Sequence, residues 1–197
     1  MKAGKSASGI WPDEPNKAAQ KDVDARWTLK VGGKIRHRSD GSPLPQIATP
    51  VFGCKSHISI DRRFGFIRGQ AVTSASAPDG RQLRKVVNTE NTSSEVWADG
   101  AYRSQSNEKW LASKMLASRI HRRKPKGKAM PKAVARANAK KSAIRARVEH
   151  VFAHQKMRFG PFIRTIGIKR AEAKLTLANL AYNMDRLIFL ERRAAMA

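Results

Sequence analysis

Alternating apolar and polar positions predict an antiparallel hairpin near the middle of the chain. The segment HISID at 57–61 alternates, residues 62–65 have the composition of a turn, and residues 66–73 alternate again. Alternation places every second side chain on the same face of a strand, so one face of this hairpin is expected to be buried. Weaker strand signals precede it at 26–31 and 35–38.

Short strands and helices then alternate. The predicted elements are, in chain order, a helix at 79–87, a strand at 95–98, a helix at 104–116 and a strand at 118–121. Ser104 is placed to cap the second of these helices through its hydroxyl oxygen.

Two helices are predicted at the end of the chain, at 142–156 and about 171–193. In the first, Ile144, Val148, Val151 and Phe152 follow the helical i, i+4, i+7, i+8 rule and define a buried stripe. In the second, apolar residues recur at helical spacing and are assigned to the core. They are Leu175, Leu177, Leu180, Met184, Leu187 and Ile188.

The charge of the chain points to a polyanionic partner. Forty Lys and Arg oppose fifteen Asp and Glu, which gives a formal net charge of +25. Neutralising phosphates releases condensed counterions, so we expect DNA to be the partner. No apolar stretch approaches the roughly 20 residues that a membrane span needs, and we expect the cytoplasm as the compartment.

The densest run of cations lies at 122–141, where no acidic residue occurs. We predict a loop there that contacts phosphates, with a solvated linker as the alternative. The residues assigned to DNA in this run are Arg122, Arg123, Lys124, Lys126 and Lys128. Residues 1–50 contain many Pro, Gly and Ser and are predicted to be largely irregular.

Two acidic residues are candidates for chemistry. Asp99 follows the strand at 95–98, and the ends of strands are where α/β sheets present ligands, although such an Asp also forms turns. Glu149 is the single acid between Glu108 and Glu172 and lies four residues after Arg145. That spacing also fits an ordinary helical ion pair worth a few tenths of a kcal/mol.

Four segments in this order resemble the catalytic domain of bacterial DDE transposases of the IS-five-like insertion-sequence group. They are GCKSHISIDRRFGFI, VWADGAYRS, IRARVEHVF and RAEAKLTLANLAYNMDRL. The wider class also has an Arg, three residues, Glu, six residues, Lys pattern, which Arg145, Glu149 and Lys156 match. A tyrosine often precedes this pattern by three positions, and Ser142 takes its place here.

The resemblance implies an α/β fold of the ribonuclease-H-like type, in which a five-stranded mixed sheet is flanked by helices. It also implies that two Asp and one Glu bind two Mg²⁺ or Mn²⁺ ions. Asp99 and Glu149 would be the second and third of these carboxylates, and would be both catalytic and metal-binding. Arg145 and Lys156 would then contact DNA phosphates beside the ions.

The first carboxylate of the family normally lies in an Asp-Ala-Thr strand upstream of the segment that corresponds to residues 22–27. This sequence contains no such strand, so we expect 1–50 to be a linker-like remnant and 51–197 a catalytic domain that lacks its first central strand. Asp24 and Asp61 are the candidate replacements, but both are more typical of turns or caps.

The sequence therefore predicts DNA transposition, with metal-dependent cleavage and strand transfer of insertion-sequence ends, in a truncated and catalytically impaired chain. The alternative is a noncatalytic basic DNA-binding protein. Whether the chain forms a homodimer on DNA, and which end sequence it recognises, stay open at this point.

Overall fold

The computed structural model describes residues 6–31, 37–90, 94–160 and 165–196, which form a mixed α/β fold. The strands are β1 (Arg26–Val31), β2 (Ala48–Ile60), β3 (Ile67–Ser74), β4 (Glu95–Val96) and β5 (Ala117–Ser118). The helices are α1 (Ala7–Ile10), α2 (Pro15–Ala19), α3 (Leu83–Val86), α4 (Gln105–Ser113), α5 (Lys132–Phe159) and α6 (Ile168–Ala195). Single 3₁₀ turns at Asp79–Gln82 and Gly100–Tyr102 complete the set.

The predicted hairpin and the strand at Arg26–Val31 are confirmed. They form an antiparallel sheet in the order β1-β2-β3, and β1 pairs with β2 from Arg26↔Gly53 to Val31↔Ala48. β2 begins at Ala48, before the predicted hairpin, so residues 1–50 are less irregular than the sequence indicated. Of the weaker signal at 35–38, residues 35 and 36 lie outside the described residues, and His37 pairs with Pro43 in an isolated bridge.

The second, two-stranded sheet contains β4 and β5. These strands are parallel, with Glu95 opposite Ala117 and Val96 opposite Ser118. The predicted cap of α4 is confirmed, because the Ser104 hydroxyl accepts a hydrogen bond from the Asn107 N–H at 3.1 Å. Next to this sheet, a core cluster joins Leu83, Leu111, Leu116 and Ile120.

The prediction of a loop over all of 122–141 was wrong for its second half. α5 begins at Lys132 and continues without a break to Phe159. Alanine, lysine and arginine are strong helix formers, and an exposed helix leaves its cations hydrated, so a high density of positive charge does not prevent a helix here. Pro131, directly before the first turn, sets the start of the helix.

The assignment of the apolar positions of α6 to the core was wrong for most of them. Leu177 is 66% exposed and Met184 is 59% exposed, whereas Leu175 is buried. Leu180, Leu187 and Ile188 are exposed as well. The buried positions are Ala171, Leu175, Asn179 and Tyr182, which share a different side of the helix. Both sides have helical spacing, so periodicity alone could not choose between them.

The chain divides into two compact units. The first contains Met1–Lys55, Val72–Ala77 and Arg164–Ala171, and the second contains Ser56–Ala71, Pro78–Ile163 and Glu172–Ala197. Asp99, Glu149 and the basic segment that begins at Arg122 all belong to the second unit. Among the described residues, no helix has the length and apolarity needed to cross a membrane.

Candidate functional site

Asp99 lies three residues after the end of β4, since the strand ends at Val96 and not at residue 98 as the sequence predicted. Its carboxylate atom Oδ1 accepts a hydrogen bond from the Ala101 N–H at 2.8 Å and so caps the 3₁₀ turn Gly100–Tyr102. Within the described residues, the second oxygen Oδ2 has no hydrogen-bond partner. The turn-forming role and the ligand role are therefore compatible, because each uses a different oxygen.

Glu149 lies on α5 and is exposed. Its Oε1 accepts a hydrogen bond from Nη1 of Arg145 at 2.9 Å, and the two side chains are 59% and 33% exposed respectively. The predicted i, i+4 pair therefore forms. A pair this open to water contributes only a few tenths of a kcal/mol, so it leaves the carboxylate available to a stronger cation. Lys156 is exposed on the same helix.

Asp99 and Glu149 line the same cavity. This cavity, of about 870 Å³, lies wholly within the second unit. Ile144, Val148 and Phe152, three of the four residues of the predicted α5 stripe, also line it. The fourth, Val151, is fully buried. The cavity thus has an apolar wall next to two carboxylates that are fifty positions apart in the sequence.

Two other carboxylates line the cavity, but their oxygens are engaged in structural contacts. Glu95 accepts hydrogen bonds from Arg119 and Arg62, and the adjacent Arg119 guanidinium lowers the pKa of Glu95 below its ordinary value. Asp61 accepts hydrogen bonds from the N–H groups of Phe64 and Phe66 at 2.6 and 2.7 Å. Asp61 therefore ends the hairpin turn and is not placed as a replacement carboxylate.

Asp24, the other candidate replacement, lies in the first unit. Its Oδ2 accepts a hydrogen bond from the N–H of Ile168, the first residue of α6, at 2.9 Å. The first N–H groups of a helix have no partner within the helix, so this bond gives Asp24 a capping role.

The surroundings of Asp99 contain two further titratable groups, Tyr102 and His121. Burial, followed by the nearby charges of Asp79 and Asp99, raises the pKa of Tyr102 to about 12. Burial and the neighbouring Arg145 lower the pKa of His121, while Asp99 opposes them. Strands were predicted from the sequence at 95–98 and 118–121. Because these strands pair in parallel, their ends lie side by side, and His121 comes close to Asp99.

The predicted basic segment divides into two kinds of residues. Lys124, Lys126 and Lys128 are exposed. In contrast, Arg123 donates from Nε to the carbonyl oxygen of Gly100 at 2.7 Å and from Nη2 to that of Ala101 at 3.2 Å. The backbone of Arg122 is bonded in both directions to the side chain of Asn138.

The donor atoms in the cavity fit a hard divalent cation only in part. Carboxylate oxygens are the ligands that Mg²⁺ takes, and Mg²⁺ often has one or two protein carboxylates and completes its shell with water and phosphate. Asp99 and Glu149 meet that minimum. Among the described residues, however, no group of three His, Cys, Asp or Glu side chains is arranged to bind a metal ion.

Comparison with known proteins identifies a family for most of the chain. Residues 36–184, more than half of the chain, match the family described as the transposase DDE domain. No solved structure matches the chain.

Proposed function

Since the chain belongs to the transposase DDE domain family, we propose that it acts on insertion-sequence ends through Asp99 and Glu149. The supporting observation is that these two carboxylates, which are far apart in the sequence, line one cavity. The four segments quoted above favour the IS-five-like group within this family.

The proposed cofactor is Mg²⁺ or Mn²⁺. When bound, such ions turn a water or a 3′-hydroxyl into a nucleophile and stabilise the departing 3′ oxygen. The free oxygens of Asp99 and Glu149 would bind the cation, and phosphate oxygens of the DNA would supply part of the remaining ligands. Arg145 donates to Glu149 and would orient that carboxylate, and its positive charge would favour a phosphate bound beside the cation.

The proposed DNA contacts come from exposed cations on α5 and in the segment after Arg122. Lys156 follows Glu149 on α5, and Lys124, Lys126 and Lys128 project into solvent. Exposed lysines bind phosphates as point charges and do not need a fixed geometry. These contacts would position the backbone of the DNA without reading its sequence.

We further propose that residues 51–197 form a ribonuclease-H-like catalytic domain and that its strand-transfer activity is weak. The antiparallel hairpin, the parallel β4-β5 pair and the flanking helices are compatible with that mixed fold. Among the described residues only Asp99 and Glu149 are proposed as ligands, and two carboxylates would bind the cations less tightly than three, so lower metal occupancy would slow the reaction.

A noncatalytic basic DNA-binding protein is the second candidate function. It is favoured by the Arg145–Glu149 pair, which is the ordinary arrangement of opposite charges one helical turn apart. In that case the two carboxylates would be structural, and the positive charge alone would account for the affinity for DNA.

A nicking assay separates the two functions. The purified chain is incubated with supercoiled plasmid in Mn²⁺ or in chelator, beside the variants Glu149→Gln and Asp99→Asn. Glu191→Gln, on the exposed end of α6, is the charge-matched control. Catalysis predicts nicking that requires Mn²⁺, survives in the control and falls to the chelator background in both site variants. Identical traces for all four proteins would instead indicate plain DNA binding.

A further inference from the structure

We infer that Arg123 and Asn138 are positioning residues that fix the turn carrying Asp99 relative to the helix carrying Glu149. The effect of these residues on catalysis rests on the proposed function, whereas their contacts in the structure are independent of it. It changes the role of Arg123, which the sequence assigned to DNA.

A series of hydrogen bonds connects α5 to the Asp99 turn. Its first bonds join α5 to the segment that follows β5. The side-chain amide of Asn138 accepts a hydrogen bond from the Arg122 N–H at 3.0 Å and donates one to the Arg122 carbonyl oxygen at 2.9 Å. Nζ of Lys141, one helical turn later, donates to the carbonyl oxygen of Ile120 at 3.1 Å. Helix α5 therefore binds the backbone of this segment at two points.

The second step joins that segment to the Asp99 turn. The Arg123 guanidinium donates to the carbonyl oxygens of Gly100 and Ala101, which are the first two residues of the turn. The N–H of Ala101 in turn donates to the Asp99 carboxylate. The carbonyl and the N–H of Ala101 are thus bonded on opposite sides, so the guanidinium stabilises the backbone that orients Asp99.

The geometry of arginine explains why this residue type suits the position. A guanidinium presents several N–H donors in a fixed plane, so it can bond two neighbouring carbonyl oxygens at once. A lysine ammonium is a single charged point on a flexible stem and cannot reproduce both bonds in one orientation. With its donors used in this way, Arg123 is less suited to a phosphate than the exposed lysines beside it.

The consequence concerns the separation of the two carboxylates. Asp99 and Glu149 lie on different elements, and an ion shared between them requires both to be placed accurately. Displacement of a reacting group by about 1 Å costs catalysis on the order of 100-fold. The contacts from α5 through Asn138, Arg122 and Arg123 to the Asp99 turn form a polar connection that limits such displacement.

The test compares Arg123→Lys and Asn138→Ala with Lys126→Gln in the full chain. The first two variants remove the connection, and the third removes an exposed cation from the same segment. Three quantities are measured: the exchange rate of the Ala101 amide hydrogen, the Mn²⁺ concentration at half-maximal nicking, and the affinity for a short DNA duplex at fixed salt. Thermal unfolding confirms that each variant is folded.

We expect Arg123→Lys and Asn138→Ala to accelerate exchange at Ala101 at least tenfold and to raise the half-maximal Mn²⁺ concentration at least tenfold, with less than a twofold change in DNA affinity. Lys126→Gln is expected to weaken DNA binding and to leave the exchange at Ala101 unchanged. The inference is overturned if Arg123→Lys behaves like Lys126→Gln.

The amide exchange separates this inference from the proposed function. If the unmodified chain shows no Mn²⁺-dependent nicking, the proposed function fails, but exchange at Ala101 still reports the connection. Unchanged exchange in both Arg123→Lys and Asn138→Ala would then reject the positioning role independently of activity.

Discussion

At the scale of single residues, the partner of each carboxylate oxygen separates structural acids from candidate ligands. Asp61 and Asp24 use their oxygens to bond backbone N–H groups of a turn and of a helix end. Asp99 uses one oxygen in this way, and Glu149 is paired with one guanidinium at the surface. The residue type is the same or similar in all four cases, so only the neighbours distinguish them.

The capping role of Asp24 can be tested with two substitutions at one position. Asp24→Ala removes the acceptor of the Ile168 N–H and is expected to lower the free energy of unfolding by about 1 kcal/mol. Asp24→Asn keeps an oxygen acceptor, so we expect it to change stability by less than about 0.5 kcal/mol and to leave Mn²⁺-dependent nicking intact. Urea unfolding and the plasmid assay measure the two effects.

Asp13→Asn, at an exposed position of the same unit, controls for the loss of one negative charge. If Asp24→Asn abolished nicking as completely as Glu149→Gln, Asp24 would have to be counted among the cation ligands and not among the caps.

At the scale of elements, side-chain amides decide which side of α6 packs against β3. Asn183 accepts a hydrogen bond from the Ile67 N–H at 2.8 Å and donates one to the Ile67 carbonyl oxygen at 3.0 Å. Gln155 of α5 donates to Asn179 of α6 at 2.7 Å in a buried position. A buried polar group without a partner is costly, so these bonds favour one rotation of the helix over the alternative with more leucine buried.

The apolar pattern of α6 predicts that substituting a leucine destabilises the protein more than substituting an asparagine. The observed packing predicts the opposite order. Asn183→Ala leaves the N–H and carbonyl oxygen of Ile67 without their partner, and we expect a loss of about 1–3 kcal/mol in the free energy of unfolding. Leu187→Ala, at a position 48% exposed, is expected to cost less than about 1 kcal/mol. Urea unfolding of both variants provides the comparison.

The opposite order of the two stability losses would reveal a cover over the exposed side of α6. A larger loss for Leu187→Ala than for Asn183→Ala would show that the exposed apolar positions of α6 are covered in solution. A dependence of that loss on protein concentration would point to a second copy of the chain as the cover.

At the scale of the whole molecule, the charge exceeds anything that internal pairing could neutralise. Forty cations face fifteen acids, and several of those acids already bond arginines within the second unit, as Glu95, Glu108 and Glu149 do. The excess leaves a chain that repels itself and attracts polyanions. This property belongs to the composition and does not depend on the catalytic proposal.

We therefore expect the affinity for duplex DNA to fall steeply with salt. If the chain contacts 6–10 phosphates, affinity decreases by about 10³–10⁵ between 50 and 200 mM salt, with little difference between duplex sequences. Fluorescence anisotropy with two unrelated duplexes measures both features, and Glu149→Gln should give the same slope. A decrease of less than about tenfold would mean that phosphate contacts are not the main source of affinity.

The sequence by itself determined the local structure and the chemistry that is available. It predicted the hairpin, the helix capped by Ser104, the strand before Asp99 and a helix carrying Glu149, because apolar spacing and capping chemistry act over a few neighbouring residues. The sequence did not determine where each element begins and ends. Helix α5 begins at Lys132, ten residues before the predicted start, because a high density of charge does not prevent helix formation.

Only the tertiary structure decided which groups meet. It brought Asp99 and Glu149 to one cavity, directed Arg123 to backbone carbonyl oxygens and gave Asp24 to the start of α6. It also exposed the leucines of α6 that the pattern assigned to the core. Each polar atom has several possible hydrogen-bond partners. Which partner it binds depends on contacts between residues that are distant in sequence, and periodicity and composition contain no information on those contacts.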